Sequence, residues 1–359
     1  MKILIDIGHP AHVHYFRNFV GLMAKKGHEF HITSRDKEVT FALLKKYNIP
    51  FTSRGKGGNG FLGRIFYILL ADLKLIRVGF RFKPDILLSF ASTYAAHASF
   101  ILKKPHITFD DTEHSKYEIF LYRFFSRVIL NPYCFQKNLG KKQIHFKGFM
   151  ELCYLHPNYF SPDKNVLPLL GLKENNTFIL VRFVSWTASH DLGEKGFSSE
   201  TKISLVETLS KYARIFISSE GNLPSALEKY RLQISPEKLH DVLYYASLYI
   251  GEGATTASEC CMLGTPAIYV NTLSAGTLEE QVRLGLMYSF RNTEGVLEKA
   301  LGLLKKPDFK TENKLRRDNM LRQIIDVTAF MVWFVENFPE SEKIIKENPD
   351  YQYKFKLKN

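Results

Sequence analysis

GEGATTASECCMLGTPAIYV, residues 251–270, reads as a strand exit, a helix start and a turn into the next strand. Gly253 frees the backbone at the turn. Ala254, Thr255 and Thr256 make a small, hydroxyl-bearing first turn, whose backbone N–H groups suit a phosphate. Glu259 falls one helical turn further in, where a carboxylate can accept two ribose hydroxyls. Cys260, Cys261 and Met262 are expected to pack behind. Neither G-x-G-x-x-G nor G-x-x-x-x-G-K-[ST] occurs in this stretch, which weakens the dehydrogenase and P-loop readings.

Working outward, the same alternation recurs. KILIDIG (2–8) reads as a buried strand, followed by a helix over Tyr15–Lys26 that Gly27 closes. HEFHITSR (28–35), IPFTSRG (49–55), DILLSF (85–90) and HITFDD (106–111) are further strands, with helices between them. One of these helices, 61–82, is basic and amphipathic. It is either a surface-contact or a core-facing helix. In the second half TFILVRF (177–183), ARIFISS (213–219), LYIGEG (248–253) and PAIYV (266–270) repeat the plan. Strands separated by helices imply parallel βαβ units and doubly wound sheets. The proline-bearing stretch 151–165 marks a boundary. The expected domains are a strongly basic 1–155 and a second α/β domain over 165–325. Helices at 311–337 are read as crossing back, and the Lys-rich 338–359 as a peripheral tail.

A chain of 359 residues with 45% hydrophobic and 24% charged residues has ordinary globular composition, which excludes a disordered or fibrous protein. Residues 1–160 carry 24 Lys/Arg against 11 Asp/Glu, and the remainder carries 25 against 25, so the first part holds the whole net charge of +13. Such a one-sided field suggests an anionic partner. Four scattered cysteines form no disulfide framework and no C-x-x-C pair, and fit a reducing compartment. MKILIDIGHP does not read as a signal peptide, and no apolar run is long enough to span a bilayer.

In open parallel sheets, ligands bind beyond the carboxyl ends of the strands, so each strand exit is a candidate. GHPAHVHYFRNF (8–19) offers His9, His12 and His14; a neutral imidazole can take a proton from an alcohol. ASTYAAHAS (91–99) is a small, hydroxyl-rich exit with His97. FDDTEHSK (109–116) places Asp110, Asp111, Glu113 and His114 together, either as acid–base groups or as a helix cap. VRFVSWTASHD (181–191) supplies Arg182 for a diphosphate, with Ser185, Thr187, Ser189 and His190 after it. Ser218, Ser219 and Glu220 lie at a further exit. The H-x-H spacing lacks an obvious third ligand, so no metal is expected.

EGATTASECCMLGTPAIYV resembles the nucleotide-sugar motif of the GT-B glycosyltransferases, above all the peptidoglycan-lipid N-acetylglucosaminyltransferases: a Gly-Ala/Ser-x-Thr-x-x-Glu core, then Leu-Gly-x-Pro into a strand. TLEEQVRLGL (277–286) resembles their downstream sugar-contact segment, and GHPAHVH their Gly-Gly-His loop. A family of unknown function is more similar still. Its GHPAHVHFFR, DD-x-EH and GA-x-T-x-x-E motifs are similar to 8–17, 110–114 and 253–259, and its Arg-Phe-x-x-Trp segment ending in His-Asp to 182–191. The resemblance covers about 1–335 and implies two Rossmann-like domains facing a central cleft.

It also implies roles. Gly253, Ala254, Thr255 and Thr256 would face the diphosphate, and Glu259 would hold the ribose. Glu280 and Gln281 would contact the sugar. Arg182 and Ser185 would neutralise the leaving group, with Ser219 and Glu220 lining the same site. His12 or His14, or the Asp111/Glu113 pair, would be the base. The expected activity is metal-independent, inverting transfer from a UDP-sugar in surface polysaccharide or glycolipid synthesis. The UDP-sugar is a substrate, and no cofactor is expected. An anionic or lipid-linked acceptor and peripheral contact with the inner face of the membrane follow, for a cytoplasmic protein. The resemblance leaves two alternatives. One is a UDP-N-acetylglucosamine 2-epimerase-like enzyme, although the Gly-Thr-Arg-Pro-Glu first loop of that family is replaced by GHPAHVHYFR. The other is a binder without catalysis, of nucleotide-sugar or of nucleic acid; no nucleic-acid motif supports the latter.

Overall fold

The structure, a computed structural model, describes residues 1–58, 60–184 and 197–357. The chain forms two units, Met1–Tyr159 with Ile324–Asn359, and Phe160–Gln323.

Unit 1 runs β1 (Lys2–Ile7), α1 (Pro10–Lys25), β2 (Glu29–Arg35), α2 (Thr40–Lys46), β3 (Thr52–Gly55), α3 (Gly60–Phe82) and β4 (Ile86–Phe90). It continues through α4 (Thr93–Leu102), β5 (His106–Phe109), α5 (Lys116–Arg123), β6 (Val128–Pro132), β7 (Gln143–Phe146) and α6 (Leu152–Leu155). The seven strands pair in the order β3-β2-β1-β4-β5-β6-β7, every pair parallel. The central β1 sets Ile3 opposite both Phe30 and Ile86. Ile3, Leu4, Ile5, Leu87 and Leu88 are buried, as a sheet covered on both faces requires. The order reverses direction after β3. Right-handed crossovers therefore put α1 and α2 on one face and α3, α4 and α5 on the other.

Unit 2 runs α7 (Val166–Leu169), β8 (Phe178–Phe183), α8 (Ser199–Leu209), β9 (Arg214–Ser219), α9 (Leu239–Tyr245), β10 (Leu248–Gly251) and α10 (Ala254–Leu263). Then come β11 (Ala267–Val270), α11 (Gly276–Arg283), β12 (Met287–Phe290), α12 (Val296–Leu304) and α13 (Phe309–Gln323). Its five parallel strands have the order β12-β11-β10-β8-β9. Ile179, Val181, Ile250 and Ile268 lie at the centre of its core. Both units are Rossmann-like, as expected of a GT-B chain.

After unit 2 the chain returns to unit 1 as α14 (Val327–Glu336) and α15 (Glu340–Glu347). Phe330, Phe334 and Val335 are fully buried, and α14 packs on α1 and α6. The stretch read from sequence as a peripheral tail carries buried Ser341, Ile345 and Gln352. Its lysines mask this in composition, because only one side of α15 faces inward.

Other differences are local. The first helix starts at Pro10, five residues before Tyr15, because His9 caps it: His9 Nδ1 accepts from Ala11 N–H at 3.2 Å, and proline is pre-set for the first helical position. β6, β7 and β12 are short strands whose sequences (VILNP, QIHF, MYSF) show no clear period.

Candidate functional site

Unit 2 gathers its polar residues where β8, β9 and β10 end. Arg182 lies one residue before the end of β8, and its Nη1 donates to Ser218 Oγ at 2.8 Å. Its Nη2 donates to Glu220 Oε1 at 2.7 Å. The guanidinium also lies against the start of α10: a Cβ built on Gly253 would sit 3.3 Å from Arg182 Nε. Gly251 is held more tightly still. A Cβ there would come within 2.5 Å of the Tyr249 hydroxyl and 2.8 Å of the Arg182 carbonyl, which only glycine avoids. Ser219 turns onto its own loop and donates to the Gly221 carbonyl at 3.1 Å.

The α10 N-terminus has Gly253 as its cap, with no side chain bonded across it and no acidic residue in its first turn. Its leading N–H groups point out of the helix with a partial positive charge. Thr256 is buried and Thr255 partly so. A fixed cation beside a helix N-terminus concentrates positive potential, a setting that favours a phosphate or diphosphate.

Glu259 is buried, and its Oε1 accepts from His240 Nε2 of α9 at 2.9 Å. Beside it, Gln281 of α11 is fully buried. Its Oε1 accepts from Ser258 Oγ at 3.0 Å, whereas its Nε2 has no hydrogen-bond partner among the described residues. A buried amide donor without a partner is costly and calls for an acceptor. Glu280 is instead clamped by Arg283, with contacts of 2.6 and 2.7 Å.

Sequence reading passed over Glu252, although it sits between two glycines at the β10 exit. Its buried carboxylate accepts from Val184 N–H at 3.0 Å and from Phe197 N–H at 2.7 Å, bracketing residues 185–196. Ser185, Thr187, Ser189 and His190 lie outside the described residues.

Unit 1 has its own cluster at the ends of β1 to β5. Asp6 is fully buried. Its Oδ1 accepts from Arg54 Nε at 2.9 Å and from Thr33 Oγ1 at 2.8 Å, and its Oδ2 from Ser92 Oγ at 2.5 Å. Arg54 continues to the Tyr67 hydroxyl at 2.7 Å and lies over the Tyr94 ring. The lone Arg in TSRG gave no sequence signal, because its partner is 48 residues away.

His12 stands next to this cluster. Its Nδ1 accepts from Gly8 N–H at 3.2 Å. Burial, then the charges of His9, Lys37 and Arg54, push its pKa well below the ordinary histidine value, so the ring is neutral near pH 7. With Nδ1 accepting, the neutral ring carries its proton on Nε2 and presents a donor there. His14 is buried in a different setting, stacked on Tyr154 and edge-on to Tyr47.

The β5 exit holds carboxyls of unusual basicity. Asp110 is fully buried and accepts from the Tyr122 hydroxyl and Thr112 N–H; burial pushes its pKa up to about 7. Asp111, partly exposed, is raised to about 6, by burial first and then by the charge of Glu113. Glu113 braces the next loop, accepting from Gln136 N–H at 2.6 Å, with its carbonyl bonded to Lys137 Nζ. Asp110 has a consequence for stability. In the unfolded chain it titrates near pH 4, so between about pH 4 and pH 7 the folded state binds the extra proton. Stability from this group is complete below about pH 4 and falls as pH rises through 7, by on the order of 4 kcal/mol. Asp110→Asn is expected to flatten that fall; urea midpoints that keep the wild-type pH dependence would refute it.

Among the described residues, no three His, Cys, Asp or Glu side chains group closely enough to hold a metal ion.

The chain belongs to the family described as "Protein of unknown function (DUF354)", whose model matches residues 1–338. "Uncharacterized protein MJ0665" of Methanocaldococcus jannaschii is 24% identical over 281 residues, spanning 75% of this chain and 81% of that protein. A UDP-GlcNAc 2-epimerase from Neisseria meningitidis, solved with UDP-GlcNAc bound, superposes with a TM-score of 0.67 at 14% identity, covering 97% of this chain and 99% of its own. The spinosyn rhamnosyltransferase SpnG, solved with spinosyn aglycone, gives 0.61 at 12% identity, covering 94% of this chain and 100% of its own. These two likenesses show the fold.

Proposed function

We propose that this DUF354 member is a nucleotide-sugar enzyme, and that it transfers the sugar of a UDP-sugar to an acceptor hydroxyl. The observation that carries the reading is Arg182 held against Gly253 at the uncapped start of α10. A diphosphate would meet the N–H groups of Ala254, Thr255 and Thr256 there, with Arg182 neutralising its charge. Ser185 is assigned to the same diphosphate, and Ser219, whose hydroxyl now donates to the Gly221 carbonyl, would have to exchange that bond for one to the phosphate. Glu259 would accept the ribose hydroxyls, and the Gln281 amide would donate to the sugar, with Glu280 beside it. Glu220, now paired with Arg182, would yield that partner to the phosphate.

In the reaction, the acceptor oxygen forms a bond to the anomeric carbon as the bond from that carbon to the phosphate oxygen breaks. The electron pair leaves with UDP, and the acceptor's proton passes to a base. Asp111 suits that role best, with a raised pKa and partial exposure. Glu113 raises it further by charge. The His12 tautomer favours donation from Nε2, so His12 is assigned to orient or charge-stabilise, and His14 to pack. The leaving group is stabilised by Arg182 and the helix start, and no resident metal or cofactor is invoked. The basic unit 1 suits an anionic acceptor, lipid-linked in surface polysaccharide or glycolipid synthesis.

A second reading, 2-epimerisation of the nucleotide-sugar, draws on Asp110 and Asp111, two neighbouring carboxyls titrating near 7 and 6. Such a pair can give and take protons at neutral pH.

The test is calorimetric binding of UDP, UDP-N-acetylglucosamine and GDP-, dTDP- and CMP-sugars, followed by product analysis of the same mixtures. Selective UDP-sugar binding, with UDP released only when an acceptor is present, is the expected result. A C2 epimer would select the second reading. No nucleotide binding by a well-folded protein would overturn both.

A further inference from the structure

Eighteen large hydrophobic side chains are exposed among the described residues, and eleven of them fall between Phe66 and Phe125, on or just after α3, α4 and α5. That is the outer surface of one helical layer of unit 1. Folding does not explain it. α3 already has a complete core stripe, with Ala71 and Leu75 fully buried and Tyr67 nearly so. Its opposite side repeats a second apolar stripe at helical spacing: Phe66, Leu69, Leu73 and Phe80, each more than half exposed.

The neighbouring helices extend the stripe into a patch. Gly79 lets α3 approach α4 so closely that a Cβ there would meet Leu102 at 2.2 Å. On α4, Phe100 is 68% exposed, and its ring lies 5.4 Å from that of Phe125, just past α5. On α5, Phe120 packs on Phe124 at 5.3 Å, and Tyr117 is 84% exposed. Scattered exposed apolar residues are normal in a soluble protein; a contiguous patch marks a binding surface.

Charge selects the partner. The three helices carry six Lys/Arg against two Asp/Glu, and one of those acids, Asp72, is paired with His97 at 2.8 Å. Arg77 and Arg81 lie among the apolar residues of α3, Lys103 and Lys104 follow α4, and Arg123 ends α5. A second copy placed face to face would set these cations against each other. Among the described residues, no helix is long and apolar enough to cross a membrane. Aromatic and aliphatic side chains interleaved with arginine and lysine fit an interface of hydrocarbon and anionic headgroups.

We propose that the α3–α4–α5 face docks unit 1 on an anionic lipid bilayer, with the apolar side chains in the headgroup–acyl boundary and the basic ones on lipid phosphates. The proposal does not depend on the identity of the donor.

The experiment is flotation of the full chain, without nucleotide, on mixed phosphatidylcholine–phosphatidylglycerol vesicles and on pure phosphatidylcholine. Two triple variants accompany it: Leu73→Ser/Phe100→Ser/Phe120→Ser, and Arg77→Gln/Arg81→Gln/Arg123→Gln. These positions are on the surface, and thermal melting checks that the fold is kept. Binding to the anionic vesicles is expected to exceed binding to the neutral ones at least tenfold. Each arginine removed should lower it about fivefold, so the charge variant loses about a hundredfold. The apolar variant should lose a similar factor. Equal binding to both vesicles, no binding, or undiminished binding by either variant would overturn the proposal. So would a concentration-dependent dimer, seen by light scattering, that the apolar variant dissolves, since a second copy would then own this face.

Discussion

Arg54→Ala is expected to destabilise the protein by about 3–5 kcal/mol. The cause is what the substitution leaves behind. Asp6 would keep the Thr33 and Ser92 hydroxyls but lose the Arg54 guanidinium that neutralises it, while staying fully buried. An ionised carboxylate in that position either pays its desolvation or takes up a proton. The rings of Tyr67 and Tyr94 would also lose the guanidinium that they flank. The pair's own net worth is a different quantity. Replacing both partners at once, as Asp6→Ala/Arg54→Met, removes the stranded charge, and a pair of this kind often breaks even against apolar side chains. The double variant should therefore recover much of the loss in urea unfolding of the full chain. If its cost equals the sum of the two single costs, the charges are not coupled and the argument is wrong.

Glu259→Ala is expected to lower UDP-sugar affinity about a hundredfold, and Glu259→Gln about tenfold. The carboxylate that accepts from His240 is also the group proposed to accept the ribose diol, and a carboxylate offers about four acceptor positions in all. Hydrogen bonds to a charged acceptor contribute about 1.5–3 kcal/mol each. Alanine removes the acceptor outright. Glutamine keeps one oxygen but turns the other position into a donor, which the diol can satisfy only in part. Because the alanine variant also breaks the bond to His240, a melting curve must accompany the calorimetry. An affinity unchanged in both variants would take the ribose away from Glu259 and leave the His240 pair as a purely packing device.

The sequence spoke most clearly where chemistry and periodicity are local. The buried run KILIDIG, the Gly253 turn and the Glu259 helix are each contained in a few consecutive residues, so the α/β fold and the shape of unit 2 could be read directly. What escaped depends on distance along the chain. Arg54 meets Asp6, His240 meets Glu259, and Glu252 meets both Val184 and Phe197, and no pattern of spacing announces such meetings. His12 and His14 look equivalent in GHPAHVH. Starting the helix at Pro10 separates them, since residues two apart on a helix point in different directions. The patch on α3 was half legible. Its apolar residues suggest a helix, but only the layer order of the sheet shows that one stripe is spent on the core and another is left over.

Unit 1 takes its pieces from both ends of the chain, whereas unit 2 is one uninterrupted segment. On the ribosome this imposes an order. The seven strands of the first sheet are synthesised early, but the helix that covers α1 and α6 is not. About 170 residues separate Leu155 from Val327, which at about 5–20 residues per second is roughly 10–35 s of elongation. Through that interval the seat of Phe330 and Phe334 is open on the nascent chain, and Thr328 has yet to reach the Cys153 carbonyl. Unit 2 can complete itself meanwhile. The half of the protein made first is thus the half finished last, its apolar seat uncovered until the final helices emerge.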